Sequence, residues 1–132
     1  MMKMAPLHLN LILAWGWILL GFLSGMILGT NFHREDWLGG YGSFKRRLYR
    51  LGHISFFGLG TVNLLFYVTV QGLTQSQPLI SLASWAFILG AVTMPICCLV
   101  TAHYAKCRTL FAIPVTSLIG GGILLLWEVI KL

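Results

Sequence analysis

Two histidines, His53 and His103, are the residues in this 132-residue chain best placed to do chemistry. One opens the second of four apolar runs and the other closes the third. Two imidazoles at similar depth on neighbouring helices form the ligand set of a b-type haem, whose iron accepts axial histidines. Gly60 follows His53 by about two helical turns, and a glycine there would leave room for a flat porphyrin. Arg46, Arg47, Arg50 and Arg108 lie near enough to pair with propionates, a planar geometry that suits arginine. The plain alternative is that both histidines are interfacial. In that reading they snorkel or cap helix ends, and His103 beside Tyr104 and Lys106 has an ordinary interfacial setting.

Cys97, Cys98 and Cys107 cluster at the same end as His103. His103 and Cys107 are four residues apart, and thiolate with imidazole suits zinc or copper. Adjacent cysteines point about 100° apart on a helix, however, so Cys97 and Cys98 do not readily share a tetrahedral site. Buried cysteine also serves as a small apolar residue. The odd count of three gives no disulfide framework.

A second polar group falls elsewhere: His8 and Asn10 at the start of the first run, and Glu128 near the end of the fourth. A His8–Glu128 pair could move a proton or bind a quinol headgroup. The alternative is a solvated Glu128 paired with Lys131 or Lys3. Asn63, near the middle of the second run, is expected to make an interhelical hydrogen bond, with a ligand contact as the sharper option. No catalytic constellation is visible. The Gly39-Gly40-Tyr41-Gly42 stretch lacks the lysine and helix start of a phosphate loop and reads as a flexible turn. The acidic pair Glu35-Asp36 is expected to balance Arg34.

The elements that must position these residues follow from composition. Hydrophobic residues make up 58% and charged residues 9%, against about 25% charged in soluble domains. Lipid must replace water around most of this surface. The apolar runs are residues 7–30, 51–71, 79–102 and 109–130, each long enough to cross a ~30 Å hydrocarbon core as a helix. None alternates as a barrel strand would. The first is too long for a signal-peptide core of roughly 7–15 residues and reads as a retained span. The expectation is a single all-α transmembrane domain, a four-helix bundle running up-down-up-down.

Basic residues orient it. The long loop 31–50 and the short connection 103–108 hold seven of the nine Lys and Arg residues. The positive-inside rule places both in the cytoplasm and both termini outside, and with no organelle-targeting segment recognisable the expected membrane is a bacterial inner membrane. Residues 43–50 are expected to lie on the membrane surface as a short helix leading into the second span. The net charge of +6 then reflects topology and contact with anionic headgroups, not nucleic-acid binding.

Packing is expected along Gly21, Gly25 and Gly29, with smaller patches at Gly52 with Gly60 and Ser117 with Gly121. These serve either internal packing or contact with another subunit, a homo-oligomer included. Pro95 and Pro114 are expected to kink the third and fourth spans. Trp15, Trp17, Trp37, Trp85 and Trp127 read as an interfacial aromatic belt.

Three functions fit these features. The first is a haem b-binding redox module or subunit of a membrane electron-transfer complex. The second is a cofactor-free accessory subunit packed against a larger membrane complex. The third is a small transporter or proton relay using His8, Glu128 and Asn63.

Overall fold

A computed structural model describes residues 5–73 and 77–132. Four helices account for most of them: α1 (Ala5–Thr30), α2 (Phe44–Gln71), α3 (Gln77–His103) and α4 (Ala112–Ile130). Short 3-10 segments at Trp37–Gly39 and Ala105–Phe111 interrupt the connections. Each helix, counting the second 3-10 segment as the lead-in to α4, is long and apolar enough to cross a membrane. Phe22, Leu65 and Ile123 are 60% or more exposed on the outside, a surface that suits lipid and not water.

The ends of the helices follow local chemistry. The last carbonyls of α1 have no helical partner. Thr30 Oγ1 and Asn31 Nδ2 both donate to Ile27 O at 2.9 Å. Ser43 caps α2 by accepting from Arg46 N at 3.1 Å and donates to Leu38 O at 2.6 Å. This cap moves the start of α2 back to Phe44, so residues 44–50 belong to the spanning helix itself and are not a separate surface helix. Leu38, Gly39 and Gly40 turn the loop with positive φ of 53°, 85° and 97°, a region glycine enters without penalty. No direct ion pair joins Glu35 or Asp36 to Arg34 among the described residues.

The main interfaces are α1–α2, α2–α3 and α3–α4, with a smaller α1–α3 contact. Glycines set the close approaches. A Cβ at Gly60 would lie 3.0 Å from Ala14 O, one at Gly21 2.8 Å from the Phe57 ring, and one at Gly121 3.2 Å from Ala86 Cβ. The Gly21 and Gly25 positions therefore face α2 of the same chain.

Polar atoms inside this apolar body are tied between helices. Asn10 on α1 donates to Asn63 Oδ1 on α2 at 2.7 Å and accepts from Ser84 Oγ on α3. Asn63 donates to Leu59 O at 2.9 Å. All three side chains are fully buried. An apolar cluster including Leu7, Phe66, Ile80 and Phe87 closes this end of the molecule.

Pro95 lies inside α3 and lacks the N–H that would bond Ala91 O. Trp17 Nε1 supplies that bond from α1 at 2.8 Å. Trp17 is thus an interhelical donor and not part of an interfacial belt. Pro114 lies in the first turn of α4, where no helical N–H is required. Cys97 Sγ reaches Leu110 O, four residues before Pro114, at 3.5 Å.

Candidate functional site

His53 stands where two cavities meet. The first, of about 190 Å³, is lined by late residues of α1 (Ser24, Leu28), early residues of α2 (Tyr49, His53, Phe56), Trp37 of the loop, and Pro95 and Leu99 of α3. It opens beyond the Trp17–Ala91 contact. The second, of about 370 Å³, lies between α1, α2 and the loop, and Arg46 and Arg50 line it. Leu28, Trp37 and His53 border both.

The half-buried His53 ring is held from three directions. Its face meets Phe57 edge-on, 5.5 Å between centroids. Gly25 lies under it so closely that a Cβ there would sit 2.8 Å from Cε1. Its Nδ1 is 2.9 Å from Ser24 Oγ, which is itself 3.1 Å from Gly21 O. A hydroxyl has one proton, and a carbonyl can only accept. Both contacts are hydrogen bonds together only if Ser24 donates to Gly21 and His53 Nδ1–H donates to Ser24. This places a proton on Nδ1, and in the neutral ring Nε2 is then the acceptor.

Tyr49, one turn before His53 on α2, is a further hydrogen-bonding group on the first cavity. Its hydroxyl is 2.9 Å from His103 Nε2, and the two rings meet edge-to-face at 6.0 Å. His103 is exposed and lines neither cavity. Tyr49 therefore stands between the cavity and His103, and the two histidines do not share one cavity. The space beside Gly60 is occupied by α1, through Ala14, Trp17 and Ile18.

The arginines separate into distinct roles. Arg46 is 1% exposed and donates to Arg34 O at 3.0 Å and Phe32 O at 3.1 Å. Its guanidinium lies over Tyr41 at 3.9 Å, with Trp37 and Phe32 at 5.4 and 5.5 Å. It fastens the loop to α2. Arg50 is half-buried beside it and contacts Tyr41 O at 3.4 Å. Arg47 and Arg108 are exposed and line neither cavity.

The remaining candidates, Gly29 excepted, lie away from the cavities. Glu128 is buried, not solvated, and takes Lys131 Nζ at 2.9 Å. His8 is exposed on α1, and Lys3 lies outside the described residues. Asn63 belongs to the buried knot with Asn10 and Ser84. Gly29 has open space beside it and lines the second cavity. Among the described residues, no three His, Cys, Asp or Glu side chains converge as a metal site. Cys98 packs against Gly52, where an added Cβ would lie 3.4 Å from Cys98 Cβ.

Sequence reasoning overlooked Ser24, Tyr49 and Trp37 as site residues. Ser24 and Gly25 sit one turn on from Gly21, and Tyr49 lies four residues before His53, so helical spacing alone could have grouped them. No family model, curated protein or solved structure matches this chain.

Proposed function

We propose that the protein is a small four-span subunit of a membrane electron-transfer assembly that binds a quinol-type ring in the first cavity. The supporting observation is His53. Its Nδ1 is 2.9 Å from Ser24 Oγ, and it shares the cavity with Tyr49, whose hydroxyl is 2.9 Å from His103. A cavity of ~150 Å³ takes one benzene ring, so about 190 Å³ suits a single substituted six-membered ring. One quinol hydroxyl donates to His53 Nε2 and the other reaches Tyr49. Ile27 and Leu99, 58% and 44% exposed, edge the cavity toward lipid, and an isoprenoid tail leaves between α1 and α3 there. Tyr49 is in turn joined to the exposed His103, 2.9 Å from its hydroxyl. By the positive-inside rule this end faces the cytoplasm, and both termini lie outside, in a bacterial inner membrane.

A b-type haem is the second reading, favoured by the Nε2 lone pair of His53 and by Arg46 and Arg50 on the adjoining cavity. His53 would be its ligand from the chain, since His103 lies behind Tyr49. One preparation separates the two. The protein is purified in mild detergent, its visible spectrum is taken before and after dithionite, and its bound lipids are extracted and analysed. Co-purified quinone that is absent from His53→Ala supports the first reading. A Soret band with a sharp reduced α-band supports haem. Neither quinone nor colour, with larger partners co-purifying, returns the chain to the accessory-subunit reading.

A further inference from the structure

We infer that the second cavity is a binding site for the phosphate headgroup of an anionic phospholipid. Its charge is the argument. Arg46 and Arg50 both line it, and neither has a carboxylate within 4 Å among the described residues. Arg46 is 1% exposed, and burying a cation is costly without compensation. The protein gives its guanidinium two carbonyl oxygens and three aromatic rings, all neutral groups. A guanidinium presents five N–H donors in a planar fork, which matches two oxygens of a phosphate.

The walls select a lipid source. Leu28 and Phe32 are apolar, Ile54 is 61% exposed beside the cavity, and Gly29 has no neighbour within 4 Å of where a Cβ would stand. An acyl chain can leave along Gly29 and Ile54 while the phosphate stays on Arg50 and the outer edge of Arg46. Basic pockets between spanning helices at the headgroup level are suited to anionic lipids. This site does not depend on the quinol reading, because its ligand is anionic and its readout is lipid preference.

The test uses the full chain in nanodiscs and in detergent. Native mass spectrometry counts bound phosphatidylglycerol against phosphatidylcholine, and a parallel arm offers inorganic phosphate alone. Retention of phosphatidylglycerol over phosphatidylcholine is expected. Arg50→Gln should weaken it about five-fold, the loss of one charge-assisted contact to the phosphate. Arg47→Gln, exposed and off the cavity, should stay within two-fold of wild type. Equal retention of both lipids would overturn the site, as would equal loss in Arg47→Gln and Arg50→Gln. Arg50-dependent binding of inorganic phosphate without any lipid preference would overturn the lipid assignment.

Discussion

Trp17 donates its indole N–H to the carbonyl of Ala91, 2.8 Å away on the neighbouring helix. That carbonyl lies four residues before Pro95, which has no N–H to offer it. The proline therefore matters beyond its own helix. It frees an acceptor in the apolar interior, and the tryptophan of α1 satisfies it. Pro95 also lines the first cavity, so the Trp17–Ala91 bond fixes how far α1 and α3 stand apart there.

Trp17→Phe leaves a buried carbonyl without its donor and should cost about 1–2 kcal/mol in reversible detergent unfolding. In a Pro95→Ala background, the substituted residue supplies the helical N–H and the same Trp17 change should cost less. A double-mutant cycle measures the coupling. Strict additivity would contradict the pairing.

Gly25 and Gly29 make a sharper contrast. They are four residues apart on one helix, yet one touches His53 and the other touches nothing. Gly25→Ala pushes a methyl against the His53 ring and should destabilise by about 1–3 kcal/mol, the usual range for overpacking. It should also disturb ligand binding in the first cavity. Gly29→Ala should leave stability unchanged. Thermal melts of the two variants side by side check this, and equal melting temperatures would count against the packing described.

These two glycines also show what the sequence can and cannot reveal. The four spans are legible because each is a long apolar run, with Glu128 the sole Asp, Glu, Lys or Arg inside any of them. Residue type alone does not say which glycine a partner side chain covers. The start of α2 is hidden because the basic residues 45–50 interrupt the apolar pattern, whereas the Ser43 cap decides the helix start. Pairing His53 with His103 rests on equal depth, which carries no information on direction. His53 turns to α1, and His103 turns outward to Tyr49. Trp17 groups with the interfacial aromatics by residue type although it sits mid-span. A tryptophan that deep, with a proline on a neighbouring span, is the pattern that would have exposed the bond.

The buried knot of Asn10, Asn63 and Ser84 should behave as structure and not as a ligand site. Asn63→Leu removes hydrogen bonds to α1 and to the α2 backbone and takes from Asn10 Nδ2 its 2.7 Å acceptor. A loss of about 1–2 kcal/mol is expected, at the upper end for polar contacts between membrane helices. Quinone affinity of the folded fraction should stay within two-fold. A specific loss of binding without loss of stability would restore Asn63 as a ligand contact.

Arg46 should prove essential to the loop. Lysine keeps the charge but not the planar fork that reaches Phe32 O and Arg34 O together. Arg46→Lys should therefore loosen residues 31–43 and speed their cleavage by trypsin several-fold, while Arg47→Lys should not. Limited proteolysis followed by mass spectrometry reads this directly, and identical cleavage rates would remove the fastening role.

At the centre of the proposed function, His53 lines a ring-sized cavity beside Tyr49. Trp37 lines that cavity, so its fluorescence can report occupancy. The decisive measurement is a titration of the purified protein with a short-chain quinol, followed by tryptophan quenching, with Trp37→Phe to identify the reporting residue. Saturable quenching that Trp37→Phe removes is expected, with affinity at least ten-fold weaker in His53→Ala and two- to five-fold weaker in Tyr49→Phe. Saturable binding of equal strength in wild type and His53→Ala, or no saturable binding in the folded wild type, would contradict it.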